Sequence, residues 1–350
     1  MTTPSFERID YQLRYNKHIE RKLIFDVLVS AKPLVEFSRH RYLGFGSMWF
    51  SDFRLAHRIL GLQEMISMEK TEYADRAAFN QPYRSIDVKP GNSTTILENF
   101  SESNWASPFI CWLDYDGGLG RSVVKDLELV LQKFTANSVL IVTVNASRRS
   151  YRPIRSGADI DKTRIGTALG EVENLLGPGT VPSRFEPGIT EGNVHLDVSE
   201  YDFPEFMAEA LLSFMSHKVA LSGRRIDSQE GETVKSSPIT FVPLFNFCHK
   251  DGAEMITVGG AIVAAKDESL WQKAAALGDF SPTQRFPRHQ RLDLIPITLK
   301  EKIVLDKCLP YGKEEFLGMA KRAGVKLDDD ELAKYFYYYQ HFPIFFEAPL

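Results

Sequence analysis

Cysteine is scarce here: Cys111, Cys248 and Cys308 stand alone in 350 residues. An odd, scattered set excludes a disulfide framework and any CxxC metal site. The eight histidines form no HxH or HExxH pattern and no Cys/His ligand spacing, so no metal centre of that kind is expected. No apolar run approaches the roughly 18 residues of a spanning helix. Residues 1–22 are charged throughout and hold no signal-peptide core. Excess charge is missing as well. Against 46 acidic side chains stand 42 basic ones, a formal −4, which gives no overall pull toward nucleic acid or acidic membranes. Repeats and low-complexity tracts are absent. These absences lead to the expectation of a cytoplasmic protein in reducing surroundings, with no membrane partner and a chain long enough for one large core or two moderate ones.

What is present is concentrated between Arg41 and Glu69. Tyr42-Leu43-Gly44-Phe45-Gly46 reads as a short strand running into a tight turn, where glycine permits positive φ and lets a ligand approach the backbone. Phe53, Leu55, Ala56, Ile59 and Leu60 then form a helical stripe from Asp52 to Leu62, with Gly61 to end it. Residues 64–69 read as a second buried strand. Glu69 lies 23 residues beyond Gly46, about where a nucleotide-binding βαβ unit places the carboxylate that receives ribose hydroxyls. Trp49 stands where a full GxGxxG would require its third glycine, so a pyrophosphate against this helix is disfavoured.

The alternation continues downstream. A helix is expected over 17–37 ahead of the first strand, another around 73–79, and a third strand near 85–88. Gly91-Asn92-Ser93 opens a helix over 94–100, with Asn92 or Ser93 as its cap. Residues 108–113 form a buried strand ending in Asp114-Tyr115-Asp116-Gly117-Gly118. A helix over 122–134 and a fifth strand over 138–144 follow. Strands this apolar, alternating with helices, imply a parallel sheet covered on both faces. Residues 146–192 break the rhythm. A helix over 203–219 and two strands, 239–249 and 254–265, come next, the strands joined at Lys250-Asp251-Gly252 by a hairpin signal. The remainder is expected to be helical.

Five βα units followed by a hairpin resemble the class I S-adenosylmethionine-dependent methyltransferases, and the local runs are similar to a group of uncharacterised bacterial O-methyltransferase-like proteins. The resemblance implies an α/β, Rossmann-like methyltransferase fold: a mostly parallel sheet with a C-terminal β-hairpin and a helical C-terminal extension. It implies S-adenosyl-L-methionine as cofactor. Gly44, Phe45, Gly46 and Ser47 then hold the methionine part, Glu69 the ribose and Gly91, Asn92 and Ser93 the adenine side, while Asp114 and Asp116 lie beside the methyl group. The corresponding division is an N-terminal helical segment (1–40), a cofactor-binding core (41–145), an inserted substrate-side region (146–238), the hairpin (239–265) and the extension (266–350).

Methyl transfer to oxygen needs positioning of the nucleophile and removal of its proton, tasks a carboxylate can perform. Asp116 and Asp114 are the first candidates, at the strand end where open α/β sheets bind ligands. On a helix Lys17, Glu20 and Arg21 share a face. That face is either a surface ion-pair stripe or, through Lys17 and Glu20, part of the catalytic pocket. The proline-rich motif of amino-methyltransferases is absent after Leu113, and Cys111 lies within the strand, so DNA-base enzymes of those kinds are disfavoured. Arg148, Arg149, Arg152 and Arg155 form a basic loop with Tyr151 interleaved. It is either solvated or a contact for a phosphate-bearing or nucleic-acid substrate. The aromatic run Tyr335 to Tyr339 with Phe342, Phe345 and Phe346 suits core packing or an oligomer contact. The methyl acceptor is not named by the sequence. Two alternatives stay open beside an O-methyltransferase: a silent methyltransferase-like scaffold, and a nucleic-acid methyltransferase.

Overall fold

Tyr42 and Leu43 are adjacent and both fully buried, yet they enter different cores, because successive side chains of a strand point to opposite faces. A sheet with two buried faces follows. The computed structural model describes residues 14–151, 167–185, 188–190, 193–195, 198–230, 233–276 and 289–343. Helix α1 (Tyr15–Ser30) precedes five strands: β1 (Arg41–Gly44), β2 (Glu64–Glu69), β3 (Ile86–Pro90), β4 (Phe109–Gly118) and β5 (Ser138–Asn145). Between them run α2 (Ser51–Leu60), α3 (Thr71–Asn80), α4 (Ser93–Glu98), α5 (Glu102–Trp105) and α6 (Arg121–Lys133). Helix α7 (Ala168–Leu176) and the short pair β6 (Gly188–Thr190) and β7 (Asn193–His195) lead to α8 (Phe203–Leu221). Then come β8 (Arg225–Glu230), β9 (Thr233–Lys250), β10 (Glu254–Ala264), α9 (Glu268–Ala276) and β11 (Gln290–Leu292). Helices α10 (Leu299–Asp306), α11 (Lys313–Arg322) and α12 (Asp329–Tyr338) complete the described chain.

The sheet runs in the order β11-β9-β10-β5-β4-β1-β2-β3, with β8 paired to β9. From β3 to β5 all pairs are parallel; β10 is antiparallel to both β5 and β9. This is the mostly parallel sheet closed by a hairpin that the sequence led us to expect. Its order reverses at β1, whose neighbours are β2 on one side and β4 on the other. Such a reversal opens a crevice at the carboxyl ends of the strands. One core unites Leu43, Ile66 and Cys111 with α6, α7 and α8. The other unites Tyr42, Met65 and Trp112 with α1, α2 and residues of α10, α11 and α12. Among the described residues no helix is long and apolar enough to cross a membrane.

Strands β8 and β11 were not read from the sequence, and β9 begins at Thr233 rather than 239; two further departures bear on the site. The first helix ends at Ser30 rather than 37 and is buried nearly all round, from Tyr15 to Leu28. Strand β4 does not stop at Leu113 but continues to Gly118 through a bulge. Asp114 faces Thr143 and Gly118 faces Asn145, so four steps along β4 match two along β5. A bulge bends its strand and re-aims the side chains within it. Those side chains are Tyr115 and Asp116.

Candidate active site

The crevice at the reversal holds a cavity of about 470 Å³, within the roughly 300–1,000 Å³ usual for small-molecule sites. Its walls come from the ends of β1, β2 and β4 and from the turn after β3. Phe45, Gly46, Ser47, Glu69, Gly91, Asn92, Ser93, Asp114 and Asp116 all line it. The structure therefore gathers these separately read sequence features around one space. Gly44 lies just behind the wall, against Trp112.

The glycine turn is built differently from the expectation. Neither Gly44 nor Gly46 has positive φ; the left-handed residues are Ser47 and Phe50, at 50° and 49°. The glycines are required by close packing. A Cβ on Gly44 would sit 2.9 Å from the Trp112 carbonyl oxygen, and one on Gly46 2.3 Å from the Phe50 ring and 2.7 Å from Ser67 Oγ. The chain itself, rather than a ligand, presses on these two positions. What the turn presents to the cavity is Phe45, Ser47 and the start of α2, whose first residue no side chain caps.

Glu69 is locked to that turn. Its Oε1 accepts from Ser47 N at 2.8 Å and from Ser67 Oγ at 2.7 Å, while Gly46 N donates to Ser67 Oγ at 2.9 Å. Burial raises the Glu69 carboxyl above the usual carboxylate range, and the hydrogen bonds from Ser67, Ser47 and Gly46 offset part of that rise. Next to it, Gly91 adopts φ +141° and donates its N–H to the Glu69 carbonyl at 2.8 Å. Asn92 caps α4 by accepting from Thr95 N. The Ser93 and Thr94 hydroxyls both donate to Asp126, which also accepts from Tyr115 at 2.7 Å. Asp126 is fully buried on α6 and was not foreseen as a site residue, although it lies three residues after Val123 and four before Val130 on the apolar face. It ties the turn after β3 to the bulge of β4.

At the other end, α1 contributes directly. Lys17 is 3% exposed, and its Nζ lies 3.0 Å from Glu20, 3.2 Å from Asp114 Oδ1 and 3.2 Å from Thr143 Oγ1, above the Trp112 ring. Glu20 is fully buried and also meets His249 Nδ1 at 3.0 Å. Burial alone would raise its carboxyl, but His249 and Lys17 outweigh that and hold it well below the usual range. The surface-stripe reading of this helix face is thereby corrected: desolvated ions must pair, and these do. Glu20 does not line the cavity, and its oxygens serve α1 and β9. Lys17 reaches the site through Asp114. Arg21, by contrast, lines the cavity itself, as does Asp52, which accepts from Tyr42 OH at 2.5 Å. Burial raises the Asp52 carboxyl, opposed by the Tyr42 hydrogen bond and the charge of Arg21.

The helix is fixed from across the sheet. Asp251, in the hairpin turn between β9 and β10, accepts from Asn16 N at 3.1 Å and Lys17 N at 2.8 Å, and so caps α1. Tyr151 fastens the bulge: its hydroxyl accepts from Leu119 N at 2.7 Å and donates to the Asn145 carbonyl at 2.6 Å. Asp116 stands exposed at the rim beyond the half-buried Asp114 and Tyr115.

The other expectations fall elsewhere. Arg148 and Arg149 lie in a short turn with the buried Tyr151, and Arg149 points outward 3.9 Å from Glu200; Arg152 and Arg155 lie outside the described residues. Tyr335 is buried against Phe316 and Phe342, so Tyr335 and Phe342 serve the chain's own core, whereas Tyr337 is exposed, and Phe345 and Phe346 lie outside the described residues. Among the described residues no group of three or more histidine, cysteine or acidic side chains could hold a metal ion. A second cavity of about 600 Å³ runs from the entering ends of β1 and β2 along β3. Its charges are matched within the protein, Arg41 with Glu64 and Lys89 with Asp87.

The first cavity also passes a chemical test for a nucleoside-bearing ligand. It combines a carboxylate, a capped polar turn and aromatic faces at Phe45, Tyr73 and Tyr115 with two buried polar atoms, Trp49 Nε1 and Ser51 Oγ, that have no protein partner. Over residues 9–350 the chain matches the protein family described as "Putative O-methyltransferase". No curated protein sequence matches it. Solved structures that resemble it include the O-methyltransferase from Bacillus cereus in complex with SAH, at 13% identity, 69% of this chain, 80% of that one and a TM-score of 0.32. A "putative O-methyltransferase" from Klebsiella pneumoniae shares 12% identity over 74% of this chain and 94% of that one, with a TM-score of 0.34. LepI in complex with SAH and a substrate analogue shares 11% identity over 64% of this chain, with a TM-score of 0.27, and this chain spans only 43% of LepI's length. The strand order described above, rather than these overlays, carries the fold.

Proposed function

The chain belongs to the family described as "Putative O-methyltransferase", and from that membership we propose that it transfers the methyl group of S-adenosylmethionine to an oxygen of an acceptor. The observation that carries the reading is convergence. The turn after β1, Glu69, the turn after β3 and the acidic bulge of β4 surround one cavity at the point where the strand order reverses. When bound, the cofactor supplies an electrophilic methyl on a sulfonium. The protein's part is to bind, orient and accept a proton.

Glu69 is assigned to the ribose hydroxyls, Asn92 and Ser93 to the adenine side, and Phe45 and Ser47 to the methionine part. Asp114, tethered by Lys17 at 3.2 Å, is a fixed acceptor at the inner end of the bulge. Asp116, exposed at the rim, is assigned as the base that takes the acceptor's proton, because an incoming hydroxyl can reach it while the buried Glu20 is out of reach. The reading leaves the acceptor's identity open and assigns the protein to the cytoplasm.

Calorimetric titration with S-adenosylmethionine and its homocysteine product tests the cofactor assignment. Micromolar binding, roughly −8 kcal/mol, is expected; no binding at millimolar ligand would leave a silent scaffold as the better description. For catalysis, a cell extract with radiolabelled cofactor supplies the acceptor. Asp116→Asn should keep cofactor affinity and lose about 10²–10⁴-fold in turnover, the usual share of a general base. Full activity in that variant would remove Asp116 from the role.

A further inference from the structure

The bulge of β4 and the turn after β3 meet on one buried carboxylate. Asp126 lies on α6, fully buried, and does not itself line the cavity. Its Oδ2 accepts from the Ser93 hydroxyl and, at 2.7 Å, from that of Tyr115, while its Oδ1 accepts from Thr94. Two of these donors, Ser93 and Tyr115, do line the cavity, one from each side of it. Burial, with Asp126 beside it, raises the Tyr115 phenol above its usual value, so the hydroxyl stays a donor. A buried carboxylate must be hydrogen-bonded, and a hydroxyl that turns away leaves part of its charge unsolvated. Bonds that share one charged, buried acceptor therefore support one another.

Tyr115 precedes Asp116 within the bulge, where β4 and β5 are out of step between Asp114 and Gly118. Ladder pairing holds the backbone at those two ends and leaves the residues between them to be aimed by side chains. Tyr115 on Asp126 is one such fastening, and Tyr151 on Leu119 N is the other. We propose that Asp126 is a positioning residue for methyl transfer, which makes the aim of the bulge, and of Asp116 on it, depend on the turn that receives the nucleoside. The inference rests on the cofactor reading of the preceding section and adds to it a coupling between two sides of the site. A nucleoside that settles Ser93 and Thr94 settles the Asp126 carboxylate, and through Tyr115 the segment that faces the acceptor. The coupling is reciprocal: a loosened bulge loosens the turn.

Amide hydrogen exchange on the full chain, with and without saturating S-adenosylhomocysteine, tests this. In the wild type the ligand should slow exchange at residues 116–118 by about tenfold. Direct contact with the ligand would slow the same amides, but that effect would survive Tyr115→Phe, which keeps the ring and removes only the hydroxyl. Tyr115→Phe should instead lose most of the slowing. Thr94→Val should lose it too, although Thr94 belongs neither to the cavity lining nor to the bulge, and Thr94→Ser should restore it. The double variant should lose no more than either single one, because both act through Asp126. The amides of β5 serve as the reference. A merely structural role for Asp126 would speed exchange in β5 and in the bulge by one factor, with or without ligand. The inference is overturned by that result, by wild-type slowing in either single variant, or by a wild type that binds the ligand without slowing the bulge. The last outcome leaves the cofactor reading standing. A wild type that binds no S-adenosylhomocysteine in calorimetry removes that reading, and this inference with it.

Discussion

Single side chains divide into those that face the ligand space and those that hold the others still. Glu69 does both: it lines the cavity and receives Ser47 N and Ser67 Oγ. Glu69→Ala should weaken cofactor binding by about 1.5–3 kcal/mol for each hydrogen bond to the charged group that is lost. It should also lower stability, since the turn loses its acceptor. Calorimetry beside thermal melting reads the two effects separately. Glu20 belongs to the second kind. Its carboxyl is held below the usual range, so its ionic contribution to stability is present above the unfolded-state value, about pH 4.3, and is lost as the pH falls below it. Removing one partner of such a buried pair costs about 3–5 kcal/mol. Glu20→Gln should therefore lag the wild type most at neutral pH, and denaturant unfolding at pH 7 and about pH 3, well below the unfolded-state value, should show the gap narrowing in acid. An unchanged gap would mean that Glu20 acts through packing alone.

At the scale of elements, the turn after β1 is a packing device. Gly46→Ala places a methyl carbon against the Phe50 ring and Ser67 Oγ, and overpacking of this kind costs about 1–3 kcal/mol. The variant should melt earlier, and whatever remains folded should bind more weakly because Ser67 also positions Glu69. A normal melting temperature with normal affinity would contradict this. The parallel strands and their helices were legible in the sequence because apolar runs and helical stripes are local signals: residues 64–69 form β2, and Asn92 caps α4. The bulge in β4 was not, because it is set by register against β5 and by Tyr151, which lies 33 residues beyond Gly118. Helix α1 stayed open between two readings for a related reason. Lys17, Glu20 and Arg21 look like a solvated stripe until His249, Asp114 and Thr143, all distant in sequence, are brought against them. The acids of the cavity were read from their positions at strand ends. Arg21, Asp52 and Asp126 lie within helices, where a charged residue is ordinarily solvated.

Over the whole molecule, one contact links the two sides of the site. Asp251 in the hairpin turn caps α1, and Asp251→Ala should cost about 0.5–2 kcal/mol of stability. Because α1 carries Lys17 and Arg21 to the cavity, the same change should weaken cofactor binding. Urea unfolding and hydrogen exchange at the first-turn amides of α1 test both halves, and protection equal to wild type at Asn16 and Lys17 would refute the cap. The same contact also sets an order in time. Asp251 lies 235 residues after Asn16, and His249 lies 229 after Glu20. On a ribosome, α1 leaves the exit tunnel ahead of β1 to β9 and waits through their synthesis for its cap and for the His249 contact. The turn after β1, Glu69 and Asp114 are all made while α1 still lacks them. A nascent chain stopped before residue 249 thus has most of the cavity wall but not the anchored helix that closes it, and the hairpin becomes the step at which the growing polypeptide acquires a finished pocket.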